Sequence, residues 1–90
     1  MDLARPHRLS PRVGLRPEPF GALAYHFDNR RLVFLRSLDL VELVRDLENH
    51  PSASDAIAAH TETQPDAVKA RRQYATALQS LAEAEVICER

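Results

Sequence analysis

Ninety residues, 44% of them hydrophobic and 28% charged, suffice for one small core and exclude a deep cleft built from several layers, so the chain reads as a non-catalytic module. The net charge of −1 hides an imbalance: residues 1–36 hold seven Arg against three acids, and residues 37–90 hold five basic residues against ten acids, a field too modest for a nucleic-acid surface. A lone Cys88 excludes an internal disulfide, and the lack of a signal peptide or a spanning apolar run predicts a cytoplasmic protein with no membrane partner.

Residues 1–10, "MDLARPHRLS", read as a flexible lead-in, and residues 11–90 as a single domain. A first, weak strand is predicted at Arg12 to Arg16, after which Pro17 and Pro19 remove backbone donors. Gly21 opens a second strand, "GALAYHF", and "RRLVFL" follows after Asp28-Asn29. Asp and Asn tolerate positive φ, which predicts a two-residue turn of the primed type. Phe27 then faces Arg30, Tyr25 faces Leu32 and Leu23 faces Phe34. Leu23, Tyr25, Leu32 and Phe34 share one side of the ribbon, and Ala22, Ala24, His26, Val33 and Leu35 share the other. A three-residue loop would slip the register by one and separate the large side chains, so the two-residue loop is preferred.

Ser37 suits an N-cap, and Leu40, Leu43, Val44 and Leu47 repeat at helical spacing, predicting a helix over 38–48. Asp39, Glu42, Asp46 and Glu48 fall on its polar side, where solvation accounts for them. A short helix over 53–60 is anchored by Ile57 and alanines and capped by Ser52 or Ser54. A third helix starts with Pro65 and Asp66 in its first turn and reaches Ala82, with Val68, Ala75, Leu78, Leu81 and Ala82 as apolar positions. "EVICE" closes as a short extended piece or a turn.

The fold class is therefore α+β and winged-helix-like: a three-stranded antiparallel sheet followed by three helices packed on its inner face. In a meander the last strand, Arg31, Leu32, Val33, Phe34 and Leu35, lies at an edge, and such an edge is a template for another strand.

The stretch "RPEPFGALAYHFDNRRLVFLRS", the Leu/Val-rich helix, the short helix after "HPS" and the long last helix ending "LQSLAEAEVI" together resemble the PqqD-like peptide-recognition domains, most of all the free-standing chaperones of mycofactocin biosynthesis. The resemblance runs from Pro11 to Glu89 and implies a winged-helix module that binds the leader of a ribosomally made precursor peptide. It implies that the leader adds as a strand beside the third strand, in a groove walled by the third helix. It also implies a second partner, a radical S-adenosylmethionine enzyme; the iron–sulfur cluster would be that partner's, and no cofactor is expected here. On the facing helix Arg71, Arg72, Ala75, Leu78 and Gln79 become the candidate contacts, with the two arginines gripping acidic leader side chains. About four to six backbone bonds at roughly 0.5–1.5 kcal/mol each, and two or three aliphatic anchors at ~1.5–3 kcal/mol, offset an ordering cost of about 2–5 kcal/mol and give micromolar to nanomolar binding.

Plainer readings stand beside these. Leu32 and Phe34 taken singly are core residues by default, and Arg71 and Arg72 are a solvated helix face. The spacing of His7, His26, His50 and His60 matches no zinc pattern, so no metal is expected, and His26 suits a solvent-facing strand position. Cys88 reads as a small buried apolar group. Two other functions share the topology: a winged-helix DNA-binding protein, disfavoured by a pI of about 6.4, and a self-associating subunit that pairs its open edge with a second copy as a homodimer.

Overall fold

The computed structural model describes all ninety residues. In chain order the elements are β1 (His7–Leu9), β2 (Val13–Glu18), β3 (Gly21–His26), β4 (Leu32–Leu35), α1 (Leu38–Asp46), α2 (Ala53–Thr61), α3 (Ala67–Glu83) and β5 (Ile87–Glu89), with a 3₁₀ turn, Leu47–Asn49, after α1. Strands β2, β3 and β4 form an antiparallel sheet in that order, and β1 and β5 form a separate antiparallel ribbon. The sheet, the three helices and the extended piece at the end of the chain match the sequence-based expectation; β1 and its pairing with β5 are additional. No helix is long and apolar enough to cross a membrane.

Strands β3 and β4 pair in the predicted register, Leu23 opposite Phe34 and Tyr25 opposite Leu32. The turn between them differs from the prediction. Arg30, at φ 60°, takes the left-handed conformation, not Asp28 or Asn29. Arg30 N–H donates to the His26 carbonyl at 2.9 Å and His26 N–H to the Arg31 carbonyl at 3.0 Å, closing a loop of four residues. Four and two are both even, so the same residues still meet. Asp28 and Asn29 act through their side chains instead: Asp28 accepts from the Arg12 guanidinium, and Asn29 Oδ1 accepts from Arg31 N–H at 2.9 Å. The hydrogen bond from Arg12 holds the Asp28 carboxyl below its ordinary range.

Alternation along the strands buries Val13, Ala22, Ala24, His26 and Leu35 on one face. His26 is thus inside, contrary to the solvent position predicted for it, because its Nδ1 accepts from the Asp28 N–H at 3.2 Å and ties down the turn. The two alanines let α1 approach closely, and Leu43, Val44 and Leu47 complete the core with Ala53, Ala56, Ile57, Leu78, Leu81, Val86 and Ile87. The opposite face carries Leu23, Tyr25, Leu32 and Phe34. Leu32 is 57% exposed and Phe34 54%, so neither is core. The sheet turns its small residues inward and its large ones out.

Gly21 fixes where this sheet ends. Its φ is 152°, and a Cβ there would stand 2.0 Å from the Leu35 carbonyl oxygen and 2.9 Å from the Ser37 nitrogen, so only glycine fits between the end of β4 and the start of α1.

The lead-in is not loose. His7 to Leu9 pair with β5, the Leu3 and Arg5 carbonyls accept from Ser54 and Ala53 N–H at 2.9 and 3.1 Å, and His7 is buried. Those bonds satisfy the first donors of α2, while Ser52 Oγ accepts from Asp55 N–H at 3.0 Å. Short segments of this kind carry too few apolar residues to announce a strand. Asp66 caps α3 from outside through the Lys69 N–H, which leaves Val68 exposed, and Cys88 is only partly buried.

Candidate functional site

Strand β4 pairs with β3 alone, so its far margin is unpaired. Because His26 and Arg31 are joined by a ladder bond, alternation turns the N–H and C=O of Val33 and Leu35 toward β3 and those of Leu32 and Phe34 toward the open side. The sheet's other margin, on β2, turns Val13, Leu15 and Pro17 outward by the same parity, but the Val13 N–H donates to the Ser10 carbonyl at 3.1 Å and proline has no N–H to offer. Of the two edges, β4 alone keeps a full set of outward donors and acceptors.

The two ends of α3 lie beside the segments that follow and precede β4, in the opposite order along the chain. Near the end of β4, Ser37 and Leu40 face Ala70, Gln73, Tyr74 and Ala77 across a recess of about 250 Å³. At the other end Asn29 Nδ2 donates to Glu85 Oε2 at 3.3 Å, holding the β3–β4 turn beside the end of α3. Ser37 is fixed as the cap of α1, its hydroxyl accepting from Leu40 N–H at 3.2 Å.

Of the residues singled out from the sequence, Arg31 to Leu35 lie along this margin. Arg71, Arg72 and Ala75 do not face it: they line a recess with Leu3 and Ile57 on the opposite flank of α3, where Arg71 Nε donates to Thr61 Oγ1 at 3.2 Å. Leu78 is fully buried in the core, and Gln79 is exposed on the stripe of Arg72 and Ala75. The residues that do face β4's end, Gln73, Tyr74 and Ala77, repeat at i, i+1 and i+4. A second apolar-edged stripe containing Tyr74 was the available signal. The largest recess, about 670 Å³, lies between the β1–β5 ribbon and the β3–β4 turn, and its Arg12 and Asp28 are paired with each other.

Above the sheet, on the face away from the helices, side chains form an exposed apolar surface. Phe20 stacks tilted on Phe34 with centroids 5.9 Å apart, Tyr25 on Phe27 at 5.8 Å, and the Arg36 guanidinium sits 5.9 Å over Phe34. Phe27 lies over Gly14, so close that a Cβ there would be 3.2 Å from its ring. Arg30 and Arg36, around this surface, form no ion pair.

A family model described as the peptide chaperone MftB family matches residues 6–88. The peptide chaperone MftB of Mycolicibacterium smegmatis (strain ATCC 700084 / mc(2)155) is 52% identical over 52 residues, covering 58% of this chain and 51% of that protein. That of Mycobacterium tuberculosis (strain ATCC 25618 / H37Rv) is 46% identical over 55 residues, 61% of this chain and 50% of the relative. The matched stretch thus spans about half the length of these curated relatives. Among solved structures, a lasso peptide synthetase B1 complexed with the leader peptide superposes with a TM-score of 0.72 at 19% identity, covering 92% of this chain and 98% of that one. The two share a fold.

Proposed function

The chain belongs to the peptide chaperone MftB family, and on that footing we propose that it binds the leader of the mycofactocin precursor peptide as an added strand beside β4. The observation that carries this reading is the unpaired margin at Leu32 and Phe34, bordered by the Tyr74 side of α3. The shared fold with a synthetase solved in complex with a leader peptide supports the same class of ligand.

A guest strand there takes its main-chain bonds from Leu32 and Phe34, which gives affinity without sequence selectivity. Selectivity comes from its alternate side chains. One set drops toward Leu40, Gln73, Tyr74 and Ala77; the other continues the exposed row of Leu32 and Phe34. Arg31, Val33 and Leu35 hold the edge in place from beneath. Arg71, Arg72 and Gln79, on the far flank of α3, act on the leader at most through their field.

The second set of guest side chains makes the peptide part of the outer apolar face. That face, with Arg30 and Arg36 unpaired around it, is where we place the radical S-adenosylmethionine enzyme that modifies the peptide. A stack of two identical faces would oppose like charges, which favours an acid-bearing partner over a second copy.

Anisotropy of a labelled synthetic leader titrated with Phe34→Pro and with Phe34→Ala tests the edge. Both lose the ring, and only the proline also loses the outward N–H. The expected outcome is a further loss of about tenfold or more in the proline variant. Equal affinity of the two folded variants would refute strand addition at β4.

A further inference from the structure

Asp46, His50 and His60 converge although their sequence spacing shows no metal pattern. Asp46 closes α1, His50 follows the 3₁₀ turn and His60 lies in the last turn of α2. Both histidines aim Nε2 at one oxygen, Asp46 Oδ2, at 2.8 and 2.9 Å, and the three donor atoms lie within 4.8 Å of one another. Asn49 Nδ2 donates to the other oxygen, Oδ1, at 2.9 Å, which orients the carboxylate with Oδ2 toward the rings. Arg90 holds the His50 carbonyl at 2.7 Å and so fixes the loop that carries this ring. Two features favour a cation at this point beyond the ligand set. The C-terminal ends of α1 and α2, the negative ends of their dipoles, both point here, and the group is half-sheltered, with side-chain exposures of 35% for Asp46 and 22% for each histidine.

We propose that Asp46, His50 and His60 form a binding site for a divalent first-row transition ion, with water completing its shell. Two imidazoles and one carboxylate are a ligand set for zinc and its neighbours in the series. Ligands at about 2.0–2.1 Å sit roughly 3.0–3.3 Å apart in octahedral or tetrahedral geometry, so the two nitrogen–oxygen separations need to open by only a few tenths of an ångström, and the two ring nitrogens already lie within 4.8 Å of each other. Each neutral ring then carries its proton on Nδ1, and the ion replaces two hydrogen bonds by three coordinate bonds that clamp the ends of α1 and α2 together.

Calorimetric titration of the untagged, chelator-treated protein with zinc tests this. One ion per chain at micromolar or tighter affinity is expected, with a loss of ~10-fold or more in His50→Gln and in His60→Gln and no change in His7→Gln or Cys88→Ser. On the wild-type protein, which avoids any folding defect of the variants, zinc is expected to shift the ¹⁵N signals of the His50 and His60 Nε2 atoms and leave those of His7 and His26 in place. Zinc binding that survives in both glutamine variants, millimolar binding only, or unmoved His50 and His60 signals would overturn the proposal.

Discussion

Single residues decide how this edge is presented. Gly21 is the clearest case, because the Cβ of any other residue would collide with the Leu35 carbonyl at the point where β4 ends and α1 begins. Gly21→Ala is expected to cost at least about 2 kcal/mol in urea unfolding; a loss below half that would mean the junction relaxes freely. Parity separates Val33 from Phe34 in the same way. The Val33 N–H belongs to the ladder with β3, so Val33→Pro is expected to lower stability, whereas Phe34→Pro leaves the ladder intact and changes only what the margin can offer. Thermal melts of the two variants check this, and equal destabilisation would contradict the assignment of outward groups. The register was legible in the sequence because Leu23, Tyr25, Leu32 and Phe34 alternate. The face they occupy was not, since a row of large apolar residues is normally read as core and only the alanines at 22 and 24 hint that the helix lies on the other side. The Asp-Asn pair misled for a local reason: its side chains had better partners in Arg12 and Arg31 than its backbone had in a primed turn.

At the level of elements, the helices were readable from Ser37, from Ser52 and from the apolar spacing of α1, and their caps form as expected. The β1–β5 ribbon was not, because three-residue strands are stabilised by what they touch and not by a pattern of their own. In that ribbon Leu9 pairs with the buried Ile87, and the segment leading into it supplies acceptors for the first amides of α2. Removal of residues 1–9 is therefore expected to lower unfolding free energy by about 2–4 kcal/mol from lost bonds and newly exposed apolar surface. Equal urea midpoints for the full and shortened chains would show the ribbon to be idle. The groove wall shows the same limit: an α3 stripe with two arginines looked like the binding face, but one of them is committed to Thr61 on α2, a contact that only the packing of two helices creates.

For the whole molecule, the design is a small core that leaves one sheet margin and one sheet face uncovered, side by side. The margin is the proposed place for a strand; the face, with Phe20, Tyr25, Phe27, Leu32 and Phe34 exposed, is an apolar surface of the sort that monomers rarely leave free without a partner. A guest strand joins the two, because half its side chains become part of that face. On the proposed function, binding of the leader and of a modifying enzyme are coupled, each raising the affinity of the other by the same factor.

The most direct measurement is amide hydrogen exchange with and without the precursor leader. Strand addition at β4 gives new protection at the Leu32 and Phe34 amides and leaves Leu15 on the opposite margin unchanged. Protection confined to β2 or to the helices, with Leu32 and Phe34 exchanging as in the free protein, would contradict it.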